Sequence, residues 1–307
     1  MKVYFSTNEL PEFKKAVVTI GTFDGVHLGH QQIINQLREE AARIGGETVI
    51  VTFDPHPRKI VSENPLELIN TLEEKTALLA KNGIDHLVVV PFTEAFSRQD
   101  ASAYVEDFLI GRFHPHTVII GYDHRFGKGR LGDFKLLEDY AAKGHFELIE
   151  IAAHLLHSIT ISSTIIRKAL ISANLEEANN YLGYSYFFEG VVIEGNKLGR
   201  TISYPTANLL VEDADKLIPG NGVYAVTATL AKGSELKGMM NIGVRPTVGG
   251  IARVIEVNLF DFDKDIYGEK LQVTLRKYLR AEQKFAGLDA LKDQLAIDKT
   301  LSIKSLV

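Results

Sequence analysis

The chain of 307 residues contains no cysteine. Disulfides, thiolate nucleophiles and zinc–thiolate sites are therefore excluded. No run of about 18 apolar residues occurs, the length that a membrane-spanning helix needs. Residues 1–9 lack the apolar core of a secretory signal. A cytoplasmic protein with no membrane partner is expected. There is no basic excess either: 34 Lys and Arg stand against 39 Asp and Glu, a net charge of −5. That argues against a nucleic-acid partner. The Walker pattern G-x-x-x-x-G-K-[ST] is absent, and residues 21–30 do not follow G-x-G-x-x-G. Histidine is missing from the last 150 residues, since all ten lie between His27 and His157. Acid–base chemistry near neutral pH in the second half then falls to a carboxylate or a lysine.

What is present is organised around Gly21-Thr22-Phe23-Asp24-Gly25-Val26-His27-Leu28-Gly29-His30. An apolar run at 16–20 precedes it and a helical pattern at 31–43 follows, so it reads as a strand-to-helix turn. Such a turn gathers backbone N–H groups and the positive helix end, which favours phosphate. His27 and His30 lie three apart and share a helical face, where they can donate to phosphate oxygens. A Gly-rich turn with two surface histidines is the plainer account.

Further strands are expected at 47–53, 86–92, 117–120 and 146–151, with helices from the capping box Thr71-Leu72-Glu73-Glu74, at 100–110 and at 134–142. In the helix at 100–110 the buried set is expected to be Ala103, Val105, Phe108 and Leu109. The alternation implies a parallel sheet covered on both faces, with ligands at the strands' carboxyl ends. Three more polar clusters fall at those ends: Asp54-Pro55-His56-Pro57-Arg58, the loop 121–130 with Asp123, His124 and Arg125, and Ile161-Ser162-Ser163-Thr164-Ile165-Ile166-Arg167. Each alone is accounted for by a turn, a cap or a solvated loop. Together their imidazoles, hydroxyls and guanidinium groups suit a polyphosphate.

A helix at 174–180 closes this half, and a boundary is placed between Ser185 and Tyr186. Short apolar runs at 187–193, 222–230, 237–242, 254–260 and 270–275 suggest a small antiparallel barrel, followed by a helix at 288–295. Gly195, Lys197, Gly199 and Arg200 form a loop able to wrap phosphate. In an extended strand Thr206 and Asn208 face one side, with neutral oxygens suited to Mg²⁺. Glu256 is the only ionisable group of residues 254–260 and shares a face with Asn258. As a general base it could take a proton from a hydroxyl attacking ATP, although an exposed strand carboxylate is the plainer account.

These motifs resemble those of the bifunctional bacterial riboflavin kinase/FAD synthetases over nearly the whole chain. The carriers are the Gly21 to His30 block, Thr52-Phe53-Asp54-Pro55-His56-Pro57, Pro205-Thr206-Ala207-Asn208, Asn241-Ile242-Gly243-Val244-Arg245-Pro246-Thr247 and Tyr267-Gly268-Glu269. The resemblance implies a Rossmann-like FMN adenylyltransferase at 1–185 and a riboflavin kinase at 186–307, with ATP and Mg²⁺. It implies that His27, His30 and Arg167 act in adenylyl transfer, and that Gly21, Phe23, Asp24, Gly25, Ser162 and Thr164 bind ATP. Asp54, Asp123 and Arg125 would bind flavin. In the kinase it implies ATP at Gly195, Lys197, Gly199 and Pro205, Mg²⁺ at Thr206 and Asn208, and Glu256 as base. Riboflavin, FMN and FAD become substrate, intermediate and product, with apo-flavoproteins as recipients of FAD. The oligomeric state stays open. Departures from the family pattern are His124 for an aromatic residue, Ser203 for glycine and Asn258 for histidine. The rivals are a nucleotidyltransferase with another acceptor, a flavin-binding protein without turnover, and an RNA-binding barrel.

Overall fold

The computed structural model describes residues 1–62, 66–121, 124–151, 161–195, 199, 202, 204–230, 233, 235–247 and 250–306. The chain divides into two compact units, Met1–Ser162 and Ser163–Val307.

In the first unit, β1 (Lys2–Tyr4), β2 (Val17–Ile20), β3 (Thr48–Asp54), β4 (His86–Pro91), β5 (Thr117–Gly121) and β6 (Glu147–Ile151) form one sheet in the order β1-β4-β3-β2-β5-β6. Every pairing is parallel. Five strands follow the apolar runs. The sixth, β1, is a three-residue edge strand without a run of its own, held by β4 in the register Val3↔Leu87. The helices include α1 (Leu28–Ile44), α2 (Leu72–Lys81) and α3 (Phe134–Ala142). Val18, Ile20, Val49, Val51, Val88, Val90, Val118 and Ile120 occupy alternate strand positions and build a core with Val105, Phe108, Leu109, Leu137 and Tyr140.

The helix expected at 100–110 runs through Ala101–Ala103, Tyr104–Ile110 and Gly111–Phe113, and its middle segment is a π-helix. The widened turn changes the buried set. Tyr104 is enclosed and stacks on Phe126 with ring centroids 4.8 Å apart, while Ala103 is only half-buried.

Strand β2 has β3 on one side and β5 on the other. The chain turns first to one neighbour and later to the other, so the carboxyl end of β2 lies at the switch point of the sheet. In open parallel sheets that crevice receives ligands.

The second unit begins with α4 (Ser163–Ile171) and α5 (Leu175–Leu182). Six strands follow: β7 (Phe187–Ile193), β8 (Ala207–Leu210), β9 (Gly222–Leu230), β10 (Leu236–Thr247), β11 (Gly250–Leu259) and β12 (Lys270–Arg280). They close into an antiparallel barrel in the order β10-β11-β8-β7-β12-β9. A helix, α6 (Leu288–Ser305), packs on β9, β10 and β12. It continues ten residues beyond the expected end because an ion pair holds its later part. Fully buried Asp298 accepts from Arg280 Nη2 at 2.7 Å and from Gln294 Nε2 at 2.9 Å.

Candidate active sites

The turn after β2 is tightly wound. Gly25 has φ 89°, which a glycine adopts without strain, but Phe23 at 48° and Val26 at 37° also lie in the left-handed region. For a β-branched valine that is costly and requires outside support. The support comes from hydrogen bonds: Val26 N–H donates to Phe23 O at 3.1 Å, and Gln31 Nε2 donates to Val26 O at 2.9 Å.

His27 is the N-cap of α1, and its Nδ1 accepts from His30 N–H at 3.4 Å. The two imidazoles do share a face. They stack with centroids 3.7 Å apart and 17° between planes, and Phe23 lies 5.0 Å from the His30 ring. Burial holds His30 well below the usual histidine pKa, and the charges of His27 and Lys75 press the same way. Its Nδ1 is buried with no hydrogen-bond partner among the described residues. At neutral pH His30 is therefore a neutral imidazole, able to donate one N–H.

Asp24 is 1% exposed, and its Oδ1 accepts from the N–H groups of Ile69 and Asn70 at 2.9 and 3.3 Å. It thus ties the 69–70 segment to the turn. Asp54, at the end of β3, is exposed and begins the Asp54–Pro55 cis peptide. Both carboxylates act on Lys75 of α2, a residue that the sequence reading passed over. Lys75 occupies an apolar-looking slot of an amphipathic helix, and a charged residue in such a slot was the available signal.

Arg125 pairs with Asp133, the N-cap of α3, at 2.9 Å on the surface. Asp123 lies outside the described residues. Ser162 is the last residue of the first compact unit, whereas Thr164 and Arg167 stand one turn apart on α4 of the second. Thr164 is exposed and Arg167 half-buried.

In the barrel, Glu256 of β11 faces Asn241 of β10 on one side and Asn208 of β8 on the other. The three form one row across three strands. A cavity of about 510 Å³ opens beside it. Thr206, Asn241, Arg245, Glu256 and Asn258 are among its polar linings, with Glu282 and Asp298, and Met239, Val223, Phe285, Leu291 and Leu295 among its apolar ones. Arg245 Nη2 donates to both carboxylate oxygens of Glu256 at 3.0 Å. Asn258 Nδ2 donates to Pro205 O at 2.7 Å, which fixes the chain just before Thr206. Pro205 itself is exposed and lines neighbouring depressions instead. Gly195 admits the Asn208 side chain: a Cβ there would stand 2.1 Å from Asn208 Nδ2. Lys197, Arg200 and Ser203 lie outside the described residues.

Residues 10–165 match the family model described as FAD synthetase, and residues 182–306 match that described as riboflavin kinase. The bifunctional riboflavin kinase/FMN adenylyltransferase of Listeria monocytogenes is 40% identical over 297 residues, covering 96% of this chain and 93% of that one. This chain belongs to that family. The Escherichia coli K12 member is 38% identical over 284 residues, covering 92% of this chain and 90% of its own. A solved structure described as a macrolide-efflux protein from Streptococcus pneumoniae superposes with a TM-score of 0.87 at 29% identity, over 98% of both chains. The first family match lies on the parallel sheet and the second on the barrel. No helix among the described residues is long and apolar enough to cross a membrane.

Proposed function

We propose that the barrel phosphorylates riboflavin through Glu256 and that the turn after β2 serves the transfer of AMP to FMN. The chain is a riboflavin kinase and FMN adenylyltransferase. One ATP converts riboflavin to FMN and ADP, and a second converts FMN to FAD and pyrophosphate. The boundary between the two activities is placed at Ser185/Tyr186, just before β7.

The observation that carries the kinase assignment is the row Asn241–Glu256–Asn208 beside a cavity lined by both polar and apolar side chains. The apolar linings suit a flavin ring, and the polar ones suit a ribityl chain and phosphates. A neutral hydroxyl is a weak nucleophile, and Glu256 is the carboxylate placed to take its proton. Thr206 and Asn208 offer neutral oxygens of the kind Mg²⁺ selects, and the bare Gly195 leaves the Asn208 amide room. Bound there, Mg²⁺ would neutralise ATP phosphates. Gly199, with Lys197 and Pro205, would flank them.

FMN brings an anionic phosphate to the other site, so adenylyl transfer needs no protein base. His27 and His30, at the N-terminus of α1, would donate to ATP phosphates, and the family resemblance is what assigns phosphate contacts to Ser162, Thr164 and Arg167 as well. Gly21, Phe23 and Gly25 shape that turn, and Asp24 anchors it. Asp54, Asp123 and Arg125 would contact the flavin, Arg125 after exchanging its partner Asp133. Small molecules are the substrates, and apo-flavoproteins are the recipients that FAD implies.

The test is a time course with riboflavin and excess MgATP, the flavins being separated by chromatography. FMN should appear first and FAD second. E256A should abolish FMN formation yet still make FAD from supplied FMN, and H30A should do the reverse. Loss of both activities in each variant would sink the two-site assignment.

A further inference from the structure

A glycine inside a strand weakens it and marks a place where another group comes close. Gly243 is such a residue, buried inside β10. What comes close is the carboxylate of Glu282, from the segment between β12 and α6. A Cβ on Gly243 would stand 2.1 Å from Glu282 Oε1, 2.8 Å from its Cδ and 3.0 Å from Oε2. Asn241 Nδ2 donates to the same Oε1 at 3.3 Å. Asn241, Gly243 and Arg245 alternate along β10 and so share one face. The Glu282 carboxylate therefore lies on the strand face that supports Glu256, whose register partner is Asn241 and whose ion-pair partner is Arg245.

The charges around the cavity do not cancel among the described residues. Three carboxylates line it, Glu256, Glu282 and Asp298, against two guanidinium groups, Arg245 and Arg280. Arg245 pairs with Glu256 at 3.0 Å and Arg280 with Asp298 at 2.7 Å. Glu282 forms no ion pair with any described residue, and its polar partner is the neutral amide of Asn241. This unmatched charge stands on the Asn241 side of Glu256, across the row from Asn208.

We propose that Glu282 is a specificity residue of the kinase: its carboxylate receives the ribityl hydroxyls of riboflavin and repels the phosphate of FMN, so the cavity favours the neutral flavin over the charged one. The inference rests on the reading of Glu256 as the base and of Asn208 as the MgATP side. With ATP on the Asn208 side, the acceptor enters from the Asn241 side, where Glu282 stands. A polyol is uncharged and offers O–H donors, and an ionised carboxylate accepts only. A phosphate monoester keeps the chain but adds negative charge, which an unmatched carboxylate opposes. Phosphorylation thus turns a good occupant into a poor one and helps the product leave. Glu282 takes no proton, since that step belongs to Glu256.

The experiment measures KM for riboflavin and the inhibition constant of FMN for the kinase, in wild type, E282Q and G243A of the full chain. Release of ADP is the readout, because adenylyl transfer yields pyrophosphate instead. FAD formation from supplied FMN and the melting temperature serve as folding controls. E282Q keeps the length and an acceptor oxygen but removes the charge. The ratio of the FMN inhibition constant to KM for riboflavin should then fall roughly fivefold, the scale of one like-charge repulsion near water. G243A keeps the charge but displaces it, and should lower the same ratio. A ratio unchanged in folded E282Q would overturn the proposal and leave Glu282 a surface carboxylate bonded to Asn241. ADP release at the wild-type rate in E256A would overturn the underlying reading of the site instead.

Discussion

A single guanidinium nitrogen, Nη2 of Arg245, donates to both carboxylate oxygens of Glu256 at 3.0 Å. The arrangement is three-centred rather than a two-nitrogen fork, so it fixes the plane of the carboxylate while each oxygen keeps a lone pair. Arg245 sits on β10, whose Asn241 is the register partner of Glu256. It is a positioning residue for the proposed base. R245M should lower the riboflavin kinase kcat roughly tenfold, in line with the cost of a misplaced catalytic group. KM for riboflavin and FAD formation from FMN should change little. Unaltered kcat would show that Glu256 needs no such support.

Gly195 makes the second prediction. A methyl group there would meet Asn208 Nδ2 at 2.1 Å and Cγ at 2.6 Å, so the amide must turn away. G195A should cut kinase kcat/KM for MgATP by roughly 10- to 100-fold and raise the Mg²⁺ concentration that the reaction needs. Adenylyl transfer from supplied FMN should be untouched. A normal Mg²⁺ dependence would remove Asn208 from the proposed ligand set.

His30 links the adenylyltransferase unit to pH. Its folded-state pKa lies well below the ordinary 6.5. As pH falls through about 6.5, the unfolded chain takes up a proton that the folded chain refuses, so stability falls. Above that pH the contribution is fully present. Denaturant unfolding between pH 7 and 5 should show a smaller loss in H30N than in the wild type. Parallel curves would mean that the folded ring titrates normally.

The buried pair between α6 and β12 carries a stability prediction. Asp298 is fully buried, and Arg280, 20% exposed at its side chain, pairs with it at 2.7 Å. Removing one partner of a buried pair costs about 3 kcal/mol, because the other charge is left uncompensated. D298A should lower the melting temperature of the barrel unit by several degrees, read by calorimetry on the full chain. No shift would place the pair among those that water already compensates.

The two folds were legible because each buries its strands in a recognisable way. Val17–Ile20 and His86–Pro91 are near-continuous apolar runs, as a two-sided parallel sheet requires. The alternation Ile255, Val257, Leu259 marks a one-sided barrel strand, and these residues are all buried. β1 escaped because three residues at a sheet edge carry no period. The end of α6 escaped because Asp298 stands where an apolar residue would continue the pattern. The turn of His27 and His30 was legible as a place, but the stacking of the rings and the positive φ of Val26 were not. Those depend on Gln31 reaching back to Val26 O and on Phe23 packing against His30. Lys75 was hidden for a related reason, since a lysine on a helix reads as solvated until the helix is packed. Asn258 is the converse case. It stands out as a departure from the family pattern, yet its amide has a task, holding Pro205.

The closed barrel and the strained turn should age differently. In the barrel every strand edge is paired, so its connecting loops can lengthen or shorten without moving the rung that carries Glu256. The turn after β2 has no such slack. Its left-handed residues Phe23 and Val26 are locked by bonds spanning three to five residues, and an inserted residue would unstack both imidazoles. Variation among descendants of this chain should therefore collect in the loops of the kinase, while the adenylyltransferase turn is inherited residue for residue.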